Sequence, residues 1–562
     1  MKRLHLSLAL IVFLLLLVGC TATDRSGSND GTPQPGTRQP ERFPLSSDCI
    51  DCHDNIVSAD GSHYSFVFDW SSSSHALSAT DPFFLALARS ESQSLPGADE
   101  AVQEACAGCH LPMADLSASA DEQPRSFLDN SAIAGHDYHD LYREGDSCML
   151  CHQLTEHAVA GNTAFLGSRL SIDLNSGTAG SPRLLYGYHT IGADSQQLKL
   201  NSMGYINAQS DAERKSIICT VCHTLYTDSY TTDGQPTGSQ LPEQVIFSEW
   251  LHSGLADRSC QSCHMPVITP AGPVANTTTA ESLNVRISSH SFVGANALLF
   301  DLADAAEDTV PRPDNNTSPV DNHERFSHSR AVTEQFLRAQ TATLNMEGAI
   351  VGGAFDPQLE LDVRIDSLVG HKFPTGFPAR RAWLHVTVYD QNDAVVFESG
   401  AWLDDGLIVG NDMDLVSGSF EPHYDVIGSS DQVQIYESVM IDSDGNVTTN
   451  LLQGIYYGKD NRLLPPGFDK SVTATDIAVV GGAFDDPDFV GGGDITHYRI
   501  ALPGGTTQAR VTVELLYHPI NYRFIENLRA GDSGEQAMFL ELLNRVQLQP
   551  SLVDQIEDVF ER

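Results

Sequence analysis

Apolar residues along this chain repeat with two different periods, and the change falls near residue 350. "HERFSHSRAVTEQFLRAQTATLNM" (323–346) sets Phe326, Val332, Phe336, Leu337 and Leu344 at helical spacing. Beyond it, "LELDVRI" (359–365), "LHVTVY" (384–389) and "RVTVELLY" (510–517) alternate apolar and polar between Gly, Asp and Asn turns. That period of two predicts an antiparallel β-sandwich over 346–520. "GEQAMFLELLNRVQ" and then "SLVDQIEDVF" predict a C-terminal helical segment over 521–562. Upstream, "DPFFLALARSESQ" reads as helix, and residues 45–300 otherwise offer loops and few strands. The acidic, Pro/Asn-rich "AAEDTVPRPDNNTSPVDN" marks 301–345 as linker and helix. The fold class expected is α+β and multidomain, a helix-and-loop region followed by the sandwich and a C-terminal helix.

The N-terminus adds an address. In "MKRLHLSLALIVFLLLLVGC" two cations precede an apolar run, which reads as a secretion signal over 1–20. The ending "LVGC" resembles a bacterial lipobox, which implies a lipid on Cys20; Thr21 in place of Asp implies sorting to the outer membrane. Residues 21–44, rich in Ser, Gly, Thr and Pro, read as a flexible tether.

Chemistry changes the picture between residues 45 and 300. "CIDCH" (49–53), "CAGCH" (106–110), "CMLCH" (148–152), "CTVCH" (219–223) and "CQSCH" (260–264) are five copies of one pattern, using ten of the eleven cysteines. With Cys20 assigned to lipid, no thiol is left for a disulfide. Zinc would need paired C-x-x-C units closing four ligands and would leave five histidines unexplained. Two thiols three positions apart can instead add to the two vinyl groups of one porphyrin, and the adjacent imidazole then lies under its iron. The expectation is five covalently attached haem c groups, on Cys49 and Cys52, Cys106 and Cys109, Cys148 and Cys151, Cys219 and Cys222, and Cys260 and Cys263. The proximal iron ligands are then His53, His110, His152, His223 and His264. So little chain per cofactor predicts that the porphyrins form the core of this region.

The charge, 74 acidic residues against 32 basic for a net of −42, excludes nucleic acid and anionic lipid surfaces as partners and favours cationic redox proteins.

Beyond the motifs, "WSSSSHALSATDPFF" (70–84), "CAGCHLPM" (106–113), "REGDSCMLCHQL" (143–154), "EWLHSGLADRSCQSCHMP" (249–266) and "SSHSFVGAN" (288–296) resemble the multihaem cytochrome c superfamily. That group includes hydroxylamine oxidoreductase, nitrite and tetrathionate reductases, and the tetrahaem cytochromes of nitrifiers. The resemblance implies second axial ligands from histidines outside the motifs. His75 stands at the family's W-x-x-S-x-H position and His290 lies in "SSHSF"; His139, His157 and His189 are the other candidates, with His63, His136 and His252 as competitors. In the second W-x-x-S segment the matching position is Leu255. "GHKFPTGFPARRAWLHVTV" (370–388), "KDNRLLPPGF" (459–468) and "DDPDFVGGGD" (485–494) resemble sandwich modules appended to such cytochromes. His371 is either structural or a ligand, and the acidic loop is either a solvated turn or a calcium site. The implied function is electron transfer in the bacterial envelope with other cytochromes as partners. The alternatives are a reductase or oxidase of a small nitrogen or sulfur compound (no motif shows the C-x-x-C-K variant of nitrite reductases) and a structural subunit of a cytochrome assembly.

Overall fold

A computed structural model describes residues 42–562 apart from 55, 62, 96, 98, 131–137, 155–171, 173–181, 190–191, 211–214, 272–286 and 307–321. Residues 1–41, with Cys20 and most of the tether, and His136 and His157 lie outside the described residues, while the last tether residues are packed and not flexible, Phe43 and Pro44 being buried and Arg42 paired with Asp121 at 2.7 Å.

The motif-bearing part is built from short helices and four two-stranded sheets. These pair β1 (Ile56–Val57) with β2 (His63–Tyr64), β3 (Arg183–Gly187) with β4 (Tyr205–Gln209), β5 (Leu225–Tyr230) with β6 (Pro236–Gln244), and β7 (Val267–Ile268) with β8 (Ile287–Ser288). The helix expected at "DPFFLALARSESQ" runs from Pro82 to Ser94. Proline occupies its first turn and the Asp81 side chain accepts from the Phe83 N–H at 2.9 Å.

The change of period marks a change of architecture. A helix covers Asn322–Gln340, and β9 (Ala342–Val351) begins directly after it. The remaining strands are β10 (Gln358–Ser367), β11 (Arg381–Tyr389), β12 (Val395–Ser399), β13 (Val426–Ile427), β14 (Ile435–Ile441), β15 (Val447–Thr448), β16 (Tyr456–Asp460), β17 (Gly493–Ala501), β18 (Gln508–His518) and β19 (Ser551–Glu561). They form a four-stranded sheet, β13-β17-β10-β9, and a seven-stranded sheet along β15-β14-β11-β18-β19 with β12 and β16 as branches. Only the β13–β17 pair is parallel. Leu359, Leu361, Val363 and Ile365 from one sheet and Val386, Val388, Val511 and Val513 from the other meet in one buried cluster. Alternation along "LELDVRI" and "RVTVELLY" is thus the inward face of each sheet. β11 is buried on its other face as well. There Trp383 packs with Ile408, Val433, Ile435 and Leu516, and its Nε1–H donates to the Gly400 carbonyl at 2.9 Å.

The C-terminal segment departs from expectation. Helices form at Tyr522–Arg529 and Gly534–Val546, but "SLVDQIEDVF" is the strand β19, antiparallel to β18 from Tyr517↔Ser551 to Gln508↔Glu561. An eleven-residue strand edge offers a full ladder of backbone partners, and Val553, Ile556 and Val559 suit a pleated surface, so pairing overrides a weak helical pattern.

The two parts share apolar core. Ala86, Leu87 and Leu241 pack with Met440, Ile520, Phe524, Ile525 and Phe539, and Val245 joins the core between the sheets. Arg89 pairs with Glu535 at 2.9 Å, and buried Glu91 accepts the Leu451 N–H at 2.6 Å.

Candidate functional site

Each motif sits on a helical turn, which brings its two thiols and its histidine to one side. The turns are Ser47–His53, Asp99–His110, Cys148–Cys151, Thr220–His223 (entered from a 3₁₀ turn over Ser216–Cys219) and Cys260–His264. None of the ten thiols is in a disulfide. Thiols of different motifs come within hydrogen-bonding reach: Cys148 of Cys49, Cys222 of Cys109, and Cys219 of Cys260. These contacts join the first motif to the third and the fourth to the second and fifth, and Cys151 of the third lies near Cys219 and Cys222 of the fourth.

The histidines are oriented for ligation. Nδ1 of His110 donates to the Ser78 carbonyl at 2.9 Å, that of His152 to Tyr186 at 2.8 Å, and that of His264 to Val293 at 2.7 Å. A carbonyl can only accept, so Nδ1 carries the proton and Nε2 keeps its lone pair. His290 and His371 are fixed the same way, by the Ser288 carbonyl at 3.1 Å and the Lys372 carbonyl at 2.8 Å.

Three motif histidines face a second, half-buried histidine. Ring centroids lie 6.2 Å apart for His223 and His75, 6.4 Å for His152 and His290, and 6.2 Å for His264 and His371. Two imidazoles on opposite sides of one metal, with bonds of about 2 Å and ring centres about 1.1 Å behind each nitrogen, stand about 6.3 Å apart. The spacing fits that arrangement. The planes cross at 88° in the first pair and lie within 19° and 15° of parallel in the others. Desolvation by the packed surroundings favours the neutral form of these imidazoles, half-buried apart from the more exposed His223: His75 and His290 are pushed down to about 3, His223 to about 4, and His152, His264 and His371 are lowered as well. His110 is pushed down to about 4 by burial, and Phe84 stacks flat on its ring at 3.6 Å.

Of the other sequence candidates, His139 bonds the neighbouring Asp140 carboxylate at 3.2 Å and His189 lies edge-on to Tyr188. His252 bonds back to the Ser248 carbonyl on its own helix. His371 is the residue that spacing could not find, because it lies 107 positions after the histidine it faces. Its signals were the segment "GHKFPTGF", which left it open as a ligand, and Leu255 where a second W-x-x-S-x-H would put histidine.

The acidic loop 485–494 joins two clusters of possible cation ligands, His423 with Asp486 and Asp494, and His497 with Asp425 and Asp488. Both are internally committed. His423 Nδ1 accepts from Gln434 and Asn461, so Nε2 holds the proton and donates it to Asp486 at 3.0 Å. Both nitrogens of His497 face carboxylates, Asp362 at 2.7 Å and Asp488 at 3.1 Å, which raises its pKa and favours imidazolium over a metal ligand.

No family model matches the sequence, and no curated protein matches it. Among solved structures, the chain is similar to a penta-heme cytochrome c552 from Thermochromatium tepidum. The TM-score is 0.50 at 16% identity, over 92% of this chain and 100% of that one. At that identity the likeness concerns the fold alone.

Proposed function

We propose that the protein is a pentahaem c-type cytochrome that carries electrons in the bacterial envelope. The observation behind this reading is the trio of motif histidines that each face a second imidazole at metal-bridging distance. The five cysteine pairs would attach the porphyrins, His53, His110, His152, His223 and His264 would be the proximal ligands, and His75 and His290 would complete the fourth and third centres. Bound there, haem supplies a one-electron couple. The chain supplies two strong axial ligands, exclusion of water, and close approach between neighbouring motifs through the paired thiols. At these three centres paired imidazoles would leave no open position for a substrate, which favours carriage there over reduction or oxidation of a small nitrogen or sulfur compound.

Kinship with the hydroxylamine oxidoreductase superfamily, a lipid on Cys20, attachment to the outer membrane and cationic cytochrome partners complete the reading; they rest on the sequence motifs and on the net charge of −42. Intact-mass spectrometry of the mature protein tests the cofactor count. Five haem additions resistant to acid acetone are expected, and four or fewer in fully matured protein would overturn it.

A further inference from the structure

The two W-x-x-S segments of this chain differ at one decisive position. Trp70-Ser71-Ser72-Ser73-Ser74-His75 ends in the imidazole that faces His223, whereas Trp250-Leu251-His252-Ser253-Gly254-Leu255 ends in leucine. The second segment nevertheless has an imidazole beside it. Gly370 lies against Trp250 and Leu255, so the loop of the two-sheet region that starts there brings His371 in next to Leu255. Gly467, at φ +79, approaches Gly254 so closely that a Cβ there would stand 2.8 Å from the Gly254 nitrogen. The Gly254 N–H donates to the Pro466 carbonyl at 2.6 Å. The segments "GHKFPTGF" and "KDNRLLPPGF" are thus the loops on which the motif-bearing region docks.

Beneath His371 lies a closed set of charges. Glu249 pairs with Arg462 at 2.9 Å, Arg462 with Asp460 at 2.8 Å, and Asp460 with Lys372 at 2.7 Å. The other oxygen of Glu249 accepts the Lys372 N–H at 3.1 Å and the Thr375 hydroxyl at 2.6 Å. Glu249 therefore grips the backbone on the residue next to His371, whose carbonyl in turn fixes the His371 tautomer.

We propose that His371 is the second axial ligand at the fifth attachment motif, donated by the two-sheet region in place of the histidine missing at position 255, and that Glu249 is the positioning residue that holds it there. This rests on the haem reading of "CQSCH" above. The fifth centre then reports whether the two parts of the chain are docked.

The test uses full-length, haem-matured protein carrying His371→Gly, His371→Met or Glu249→Gln. His371→Gly is expected to keep five haem additions by mass while one centre in five becomes high-spin in the ferric state and binds carbon monoxide when reduced. Added imidazole should return it to low spin. His371→Met should give one centre the near-infrared charge-transfer band of thioether-ligated ferric haem, and that variant alone decides the question if the glycine variant does not mature. Glu249→Gln should open the same centre in part, with carbon monoxide bound to a fraction of one haem. Five haems with parental spectra in both His371 variants would overturn the ligand, and a parental carbon monoxide response in Glu249→Gln would overturn its positioning role. Fewer than five haems in the parent protein overturns the underlying reading instead.

Discussion

Glu249→Gln has an energetic consequence that can be worked out from the buried quartet. Glu249 and Lys372 side chains are 0% exposed, Asp460 2% and Arg462 8%, and their two positive and two negative charges cancel. Glutamine keeps an acceptor for the Lys372 N–H and the Thr375 hydroxyl but leaves two cations against one carboxylate. Breaking a buried pair by removing one partner costs about 3–5 kcal/mol, because the orphaned charge stays desolvated. Arg462→Gln should cost a similar amount in the opposite sense. The double variant leaves the neutral Lys372–Asp460 pair, so its cost should fall short of the sum by about 1–3 kcal/mol. Urea midpoints of the four proteins, followed by far-ultraviolet circular dichroism and converted with a shared slope, measure this cycle. If the two substitutions add within about 0.5 kcal/mol, the quartet is not a coupled unit and the reasoning fails.

Three further outcomes are expected. Crossed imidazole planes leave the iron d orbitals nearer degeneracy than parallel ones, so ferric paramagnetic resonance should resolve one strongly anisotropic centre from His75–His223, at 88°, and two ordinary rhombic centres from the pairs at 19° and 15°. His497, raised by Asp362 and Asp488, contributes stability that is complete below its unfolded pKa of about 6.5 and is lost as pH rises through its higher folded value. The urea midpoint should therefore fall as pH rises above about 6.5, and His497→Gln should flatten that fall. Cys20→Ser should move the protein from the membrane fraction to the soluble fraction; continued sedimentation would mean another anchor, although among the described residues no helix is long and apolar enough to cross a membrane.

The parts of the fold and site that could be read from sequence are those with a local signature. Strands β10, β11 and β18 announced themselves because one face of each meets the same core, which forces a period of two on Leu359 to Ile365 and on Val511 to Leu515. The attachment motifs are local for a covalent reason, since two thiols must reach one ring. What stayed hidden depends on distant chain. β19 is a strand because β18 offers it an edge, not because of its own pattern. "WSSSSH" and "SSHSF" single out His75 and His290, but that they face His223 and His152, and that His371 reaches His264 from beyond the helix Asn322–Gln340, depends on how the fold returns. Spacing carries no information about such pairs. The boundary drawn at 345/346 was similarly invisible as an interface. Leu241, Val245 and Leu87 read as ordinary apolar residues of their own elements until the fold sets them against the sheets and the C-terminal helices.

Axial ligation of the parent protein tests the central claim most directly. Near-infrared magnetic circular dichroism of the oxidised form, paired with a carbon monoxide titration of the reduced form, counts bis-histidine centres and open ones in the same sample. Bis-histidine signatures are expected at the third, fourth and fifth centres, which should stay low-spin when reduced and bind no carbon monoxide. A full equivalent of carbon monoxide bound to one of those three, with a high-spin ferric signal to match, would contradict that claim and make the protein an enzyme with an open haem.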